Sequence, residues 1–146
     1  MIKRVLVPVD SPETADDILP IISPLAATGA TVRFVHVAPV PDNVVTPDGR
    51  TVAYAHQQMA STEARWCDSF GALRARLNGG TVDYRVRFGD PAPEILAEAE
   101  RFGADTIVVT TGTRSSVKRA LLGSVAEAVL RRAGIDVLLY RSRRDP

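Results

Sequence analysis

Two hydrophobic periods alternate along this chain. Five short runs rich in β-branched and aliphatic residues, "RVLVPV" (4–9), "TVRFVHV" (31–37), "TVDYRVRF" (81–88), "DTIVVTT" (105–111) and "IDVLLYR" (135–141), read as strands. Between them the apolar residues recur at three- to four-residue spacing: Ala15, Ile18, Leu19, Ile22 and Leu25; then Met59, Thr62, Trp66, Phe70, Leu73 and Leu77; then Ile95, Leu96, Ala99 and Phe102. A fourth, shorter helix is predicted over about 124–132. Strands alternating with helices need crossover connections, so the pattern predicts an α/β protein with an open, mostly parallel five-stranded sheet and helices on both faces. The first and fourth runs are nearly continuous in apolar content, as strands covered on both faces are, whereas "TVDYRVRF" alternates with charges and reads as an edge.

The punctuation sharpens this outline. Gly29 and Gly103 follow two of the helices, where a left-handed residue closes the last turn, and Asp90 with Pro91 opens the third. Pro20 and Pro24 predict a kink or break near 19–24, because each removes a backbone donor. "PVPDNVVTPDGR" (39–50) predicts a mobile loop.

Composition adds bounds. A chain of 146 residues, 45% hydrophobic and 24% charged, is expected to be one domain over 1–146, large enough to bury about 68% of its unfolded surface without staples. No apolar run reaches the ~18 residues of a membrane span, and no cleavable leader is evident, which points to the cytoplasm and away from the membrane. The single cysteine, Cys67, excludes an intrachain disulfide and a cysteine metal cluster. His36 falls within a strand and His56 near a helix start; neither has Cys or carboxylate partners at ligand spacing, so both read as core or surface histidines and no metal site is expected. The charge is uneven: residues 113–146 carry eight Lys and Arg against three acids, net +5, which leaves −4 for residues 1–112 given the overall +1. The basic end "YRSRRDP" has no aromatic stacking platform beside it, so nucleic acid is not expected as a partner.

In an open parallel sheet, ligands bind beyond the carboxyl ends of the strands where the strand order reverses. If the first and fourth strands flank that point, "PVDSPE" and "TTGTRSS" carry the chemistry. Asp10 can accept from an adenine amino group or a ribose hydroxyl, or it can cap the first helix; both readings stand. Gly123 and Ser124 open the fourth helix, where free amides can receive phosphate oxygens, yet Ser124 with Glu127 three residues on is also a capping box. No constellation for nucleophilic catalysis appears, and no general base for nucleotide hydrolysis, so at most slow ATP hydrolysis is expected.

The segments "RVLVPVDSPE", "FVHVAPV", "GDPAPEILAEAERFGADTIVVTT" and "SSVKRALLGSVAEAVLRRAGIDVLLYR" together resemble, in order and spacing, the universal stress protein family. The resemblance implies a Rossmann-like sheet in the order 3-2-1-4-5, a regulatory or stress-response role, and a homodimer paired through the final strand, 135–141. ATP-binding members carry G-x-x-G, nine residues, then G-S or G-T. Counted back from Gly123, those glycines fall on Thr110 and Thr113, so the second half of the motif is kept and the first half is lost. A β-branched residue is costly at positive φ and occupies space that phosphates would use.

The expectation is therefore a dimeric regulatory module that does not bind ATP productively and works with a protein partner not identifiable from sequence. The alternative is an adenine-nucleotide sensor, for ATP or AMP, in which Gly112, Ser115, Ser116 and Ser124 replace the lost glycines and Arg114 or Lys118 neutralises phosphate. The candidate cofactor-binding residues are Pro8, Val9, Asp10, Val37, Gly112, Gly123, Ser124 and Val125.

Overall fold

The computed structural model describes residues 1–42, 44–45, 47–49, 51–52, 54–77, 79–111 and 123–141. Its principal sheet holds five parallel strands, β1 (Arg4–Pro8), β2 (Thr31–Ala38), β5 (Thr81–Phe88), β6 (Thr106–Thr111) and β7 (Asp136–Arg141), in the order β5-β2-β1-β6-β7. Renumbered among themselves these strands run 3-2-1-4-5, as the resemblance implies. Among the described residues four helices lie in the crossovers: α1 (Pro12–Ala27), α2 (Tyr54–Ala75), α3 (Pro91–Phe102) and α4 (Ser124–Arg132).

The two-residue period of the strands divides the core into two layers. Val5, Val7, Val32, Phe34 and Val108 point to one face and are buried with Ile18 and Ile22 of α1 and Phe70 and Leu73 of α2. Leu6, Val35, Ile107 and Val109 point to the other and are buried with Ile95, Ala99 and Phe102 of α3 and Ala126 and Val129 of α4. At the entrance to β6, the Asp105 carboxylate accepts from the backbone amides of Lys3 and Arg4, both at 2.8 Å, and fastens the start of β1 to its neighbour.

Several local expectations are corrected. α1 runs unbroken through Pro20 and Pro24. Asp16, Pro20 and Pro24 share one exposed stripe, so the carbonyls left without donors face water, while the buried Ile18, Leu19, Ile22 and Ala26 hold the opposite side of the helix to the core. The stretch expected to be a mobile loop, 39–50, contains a short strand, β3 (Val44–Val45), which pairs antiparallel with β4 (Thr51–Val52) just after it. The capping box at α4 does not form: Gly123 is the N-cap, with φ −61° and ψ 155°, and makes no side-chain cap bond, while Glu127 pairs with Arg131 at 2.7 Å. Gly29 and Gly103 do take positive φ, 95° and 72°, after α1 and α3.

The charges of β5 have a destination that edge character alone does not predict. Glu98 of α3 is 2% exposed and accepts from Arg33 Nη1 and Arg87 Nη1, each at 2.9 Å. Arg33 also holds Asp83 through two bonds, at 2.9 and 3.0 Å, and Arg87 holds Glu94 at 3.1 Å. The Arg33 guanidinium lies 4.3 Å from the Phe102 ring centroid. This network ties β2 and β5 to α3.

Candidate functional site

The helix-ward ends of β1, β2 and β6 open onto a cavity of about 320 Å³ at the reversal of strand order. Pro8, Val9 and Asp10 line it from the end of β1, Val35 and Val37 from β2, Thr110 and Thr111 from β6, and Gly123, Ser124, Val125 and Ala126 from the start of α4. The structure thus brings together Pro8, Val9, Asp10, Val37, Gly123, Ser124 and Val125 from three separated segments. Gly112 lies outside the described residues, as do Thr113, Arg114, Ser115, Ser116 and Lys118. Two further lining residues, Pro91 and Ile95, come from α3 and were not anticipated. Their signal was "GDPAPE": a helix opening directly after a parallel strand puts its first turn at the carboxyl edge of the sheet, where the crevice lies.

Local sequence explains how the wall is held. The Val9 amide donates to Val35 O at 2.9 Å, which carries the β1 ladder one residue past the strand. The chain then leaves the sheet, and Ser11, with φ −152° and ψ 159°, caps α1 by accepting from the Thr14 amide at 3.2 Å. The cap is therefore Ser11 and not Asp10. Asp10 is exposed at the cavity, its Oδ1 accepting from the Thr14 hydroxyl at 2.5 Å. One carboxylate oxygen is thereby anchored, and the group is oriented by a bond that is not a helix cap.

Behind this wall lies His36. Its Nδ1 is 2.8 Å from Val9 O, and its ring stacks on Trp66 with centroids 3.8 Å apart and planes 17° from parallel. Burial pushes the imidazole pKa below its ordinary value, against the opposing influences of the Val9 hydrogen bond and the Asp10 charge. His56 is exposed on α2. Among the described residues no group of three or more His, Cys, Asp or Glu side chains could hold a metal ion, and no helix is long and apolar enough to cross a membrane.

The lining suits a flat, largely apolar ligand with a polar end. Val9, Val35, Val37 and Ile95 give aliphatic walls, Asp10 offers an acceptor, and the first turn of α4 turns its amide end toward the same space. An open parallel sheet with a crevice of this kind at the switch point defines a Rossmann-like α/β protein. The chain belongs to the universal stress protein family: the profile of that family matches residues 1–141. A putative universal stress protein of Staphylococcus epidermidis is 41% identical over 79 residues, a match covering 52% of this chain and 48% of the relative. The chain spans about half the length of the curated relatives it matches. Among solved structures, universal stress protein UspA from Lactobacillus plantarum superposes with a TM-score of 0.74 at 21% identity, covering 96% of this chain and 98% of that one. The universal stress protein from Archaeoglobus fulgidus in complex with dAMP has a TM-score of 0.58 at 24% identity, covering 95% and 98%. These two structural likenesses are likenesses of fold.

Proposed function

We propose that this chain is a stress-response regulatory module whose cavity takes the nucleoside monophosphate portion of an adenine nucleotide and does not hold ATP productively. The observation that carries the reading is that a single cavity joins Pro8, Val9, Asp10 and Val37 to Gly123, Ser124 and Val125. The aliphatic walls sandwich a base, Asp10 accepts from its amino group or from a ribose hydroxyl, and the α4 amides receive one phosphate. A volume of about 320 Å³ is at the small end for a ligand site and fits a compact nucleotide. The dAMP complex of the Archaeoglobus fulgidus relative is in keeping with a monophosphate. Against ATP stand Thr110, which lines the cavity, and Thr113, both at positions where ATP-binding members of the family have glycine.

The module works as one domain over 1–146, in the cytoplasm where adenine nucleotides are held, and as a homodimer through β7. The last step is supported by β7 being a sheet edge on which Leu138 and Leu139 are 43% and 44% exposed.

The test is to denature the purified protein, run the released small molecules on anion exchange, and titrate the ligand-free protein with AMP and ATP by calorimetry. AMP is expected to bind at least as tightly as ATP. ATP binding tenfold tighter than AMP refutes the role given to the threonines. If neither binds, the cavity is not an adenine-nucleotide site and the module acts through a protein partner alone.

A further inference from the structure

Given the reading of the cavity as a nucleotide site, we propose that His36 is its proton-linked positioning residue. By donating Nδ1–H to the Val9 carbonyl it fixes the Val9–Asp10 peptide, and nucleotide affinity falls as the imidazole takes up a second proton.

The Val9 residue is gripped twice from β2. Its amide donates to Val35 O at 2.9 Å, and its carbonyl lies 2.8 Å from His36 Nδ1. A trans peptide is planar, with C=O and the next N–H antiparallel, so fixing the Val9 carbonyl fixes the direction of the Asp10 amide and the point at which Asp10 leaves the sheet. Both residues line the cavity. The Trp66 stack at 3.8 Å holds the imidazole plane, so the bond to Val9 has a defined direction. His36 therefore touches no ligand and acts through the peptide in front of it.

Its surroundings favour the neutral ring. From α2 the ring meets the indole of Trp66, and its register partner on β5 is Val86. Among the described residues the Asp10 carboxylate is the charge that acts on it, and α1 holds that carboxylate through the Thr14 hydroxyl. Burial lowers the imidazole pKa, and the Val9 bond and the Asp10 charge partly offset that effect. With Nδ1–H committed to Val9 O, a second proton must go to Nε2.

The sign of the linkage follows. A nucleotide whose amino group or hydroxyl donates to Asp10 spreads the carboxylate charge and expels water from the cavity. Both changes remove what stabilises an imidazolium, and the phosphate charge sits at the α4 amides, on the face of the sheet opposite the ring stacked on Trp66, so the occupied site holds that proton less tightly. Linkage is reciprocal, so proton uptake by His36 weakens nucleotide binding to the same extent. Affinity is highest above the His36 titration of the free protein and falls as the pH drops through it.

The experiment is AMP calorimetry from pH 5 to 8 on the unmutated protein and on His36→Asn, together with the fluorescence of Trp66, the only tryptophan in the chain. Asn puts an amide N–H near the Nδ1 position and does not titrate, so it should keep the affinity at pH 8 within about twofold and lose the slope due to His36. A shift of half a pKa unit is about threefold in affinity, so the unmutated protein should weaken by roughly threefold more than the variant between pH 8 and pH 5. The second ionisation of the phosphate, near pH 6, is common to both proteins and cancels in this comparison. Independently of any variant, an imidazolium stacked on Trp66 quenches its emission, and saturating AMP should move the midpoint of that titration down by about half a pH unit. AMP binding with superimposable pH profiles for the two proteins, or a Trp66 midpoint that AMP leaves in place, overturns the role of His36 and leaves the cavity as a nucleotide site. Absence of AMP binding at every pH overturns both.

Discussion

Replacing Glu98 by glutamine removes a negative charge from the inner face of α3 and leaves its shape. Glu98 is 2% exposed and takes one hydrogen bond from Arg33 and one from Arg87, both at 2.9 Å. An amide in its place can accept from one guanidinium but turns its NH₂ toward the other, so a charge-assisted bond is lost and two donors face one another. Breaking a buried ion pair by removing one partner costs about 3 to 5 kcal/mol. The lower end applies here, because Arg33 keeps its two bonds to Asp83 and Arg87 keeps Glu94. A loss of about 3 kcal/mol is expected. With an unfolding entropy of about 2.1 cal/mol/K per residue, or roughly 0.3 kcal/mol/K for a chain of this length, that lowers Tm by about 10 °C. Urea melts with an unchanged slope measure it. Glu94→Gln, at a carboxylate 29% exposed, is the comparison and should cost about 1 kcal/mol or less. A Glu98→Gln loss no larger than that of Glu94→Gln, or one abolished by 1 M salt, would mean that the network is screened like a surface pair and that the buried-charge argument is wrong.

Ser11→Ala should cost about 1 kcal/mol, because it removes the cap of α1, whereas Asp10→Ala should change stability by less than about 0.5 kcal/mol and weaken AMP binding; urea melts and calorimetry separate the two. Replacing Thr110 and Thr113 together by glycine should strengthen ATP binding without weakening AMP, and a calorimetric titration that finds ATP unchanged removes the threonines as the obstacle. For Asp105, burial opposes ionisation, but hydrogen bonds from the Arg4 and Lys3 amides and the Thr106 hydroxyl outweigh it and hold the carboxyl below its ordinary pKa. Its contribution is therefore complete above the unfolded value of about 4 and is lost as the pH falls through the lower folded value, so Asp105→Asn should destabilise at pH 7 and its effect should shrink as the pH is taken below about 4. The unmutated protein should scatter light as a dimer at tens of micromolar, and Leu138→Pro, which removes a ladder donor from β7, should shift it toward monomer; a parent that is already monomeric refutes the pairing.

The central strands were legible because parallel strands buried on both faces must be apolar nearly throughout, the edge strands β5 and β7 because their β-branched and aliphatic residues stand between helical periods, and each run found its place within a residue or two. Of the kink or break expected near 19–24, the break does not occur, for a reason local windows do not contain. A proline's cost depends on where the orphaned carbonyl points, and the four-residue spacing of Asp16, Pro20 and Pro24 sends those carbonyls to water. The Ser124 capping box failed by one residue, since the helix begins at Ser124 and Gly123 takes the cap position. At α1 a similar one-residue distinction decides Asp10. Its carboxylate and the Ser11 hydroxyl both approach Thr14, but only Ser11 receives the backbone amide.

The residues that escaped the sequence reading share a cause, which is separation along the chain. Arg33 meets Glu98 across 65 positions, and His36 meets Val9 across 27. Glu98 did carry a faint mark, since it sits at the same helical spacing as Ile95, Ala99 and Phe102, where a charge with no buried counterpart would be prohibitively costly. Recognising that counterpart needed the pairing of β2 with β5, which puts Arg33 level with Asp83. His36 carried none, because "VHV" inside a strand is equally consistent with a core histidine. What distinguishes it is that Val9, one residue beyond β1, continues the ladder against Val35 and so brings its carbonyl within reach of the ring. The position of a strand end thus decides whether a buried histidine merely fills space or holds the wall of a cavity, and strand ends are where a hydrophobic pattern says least.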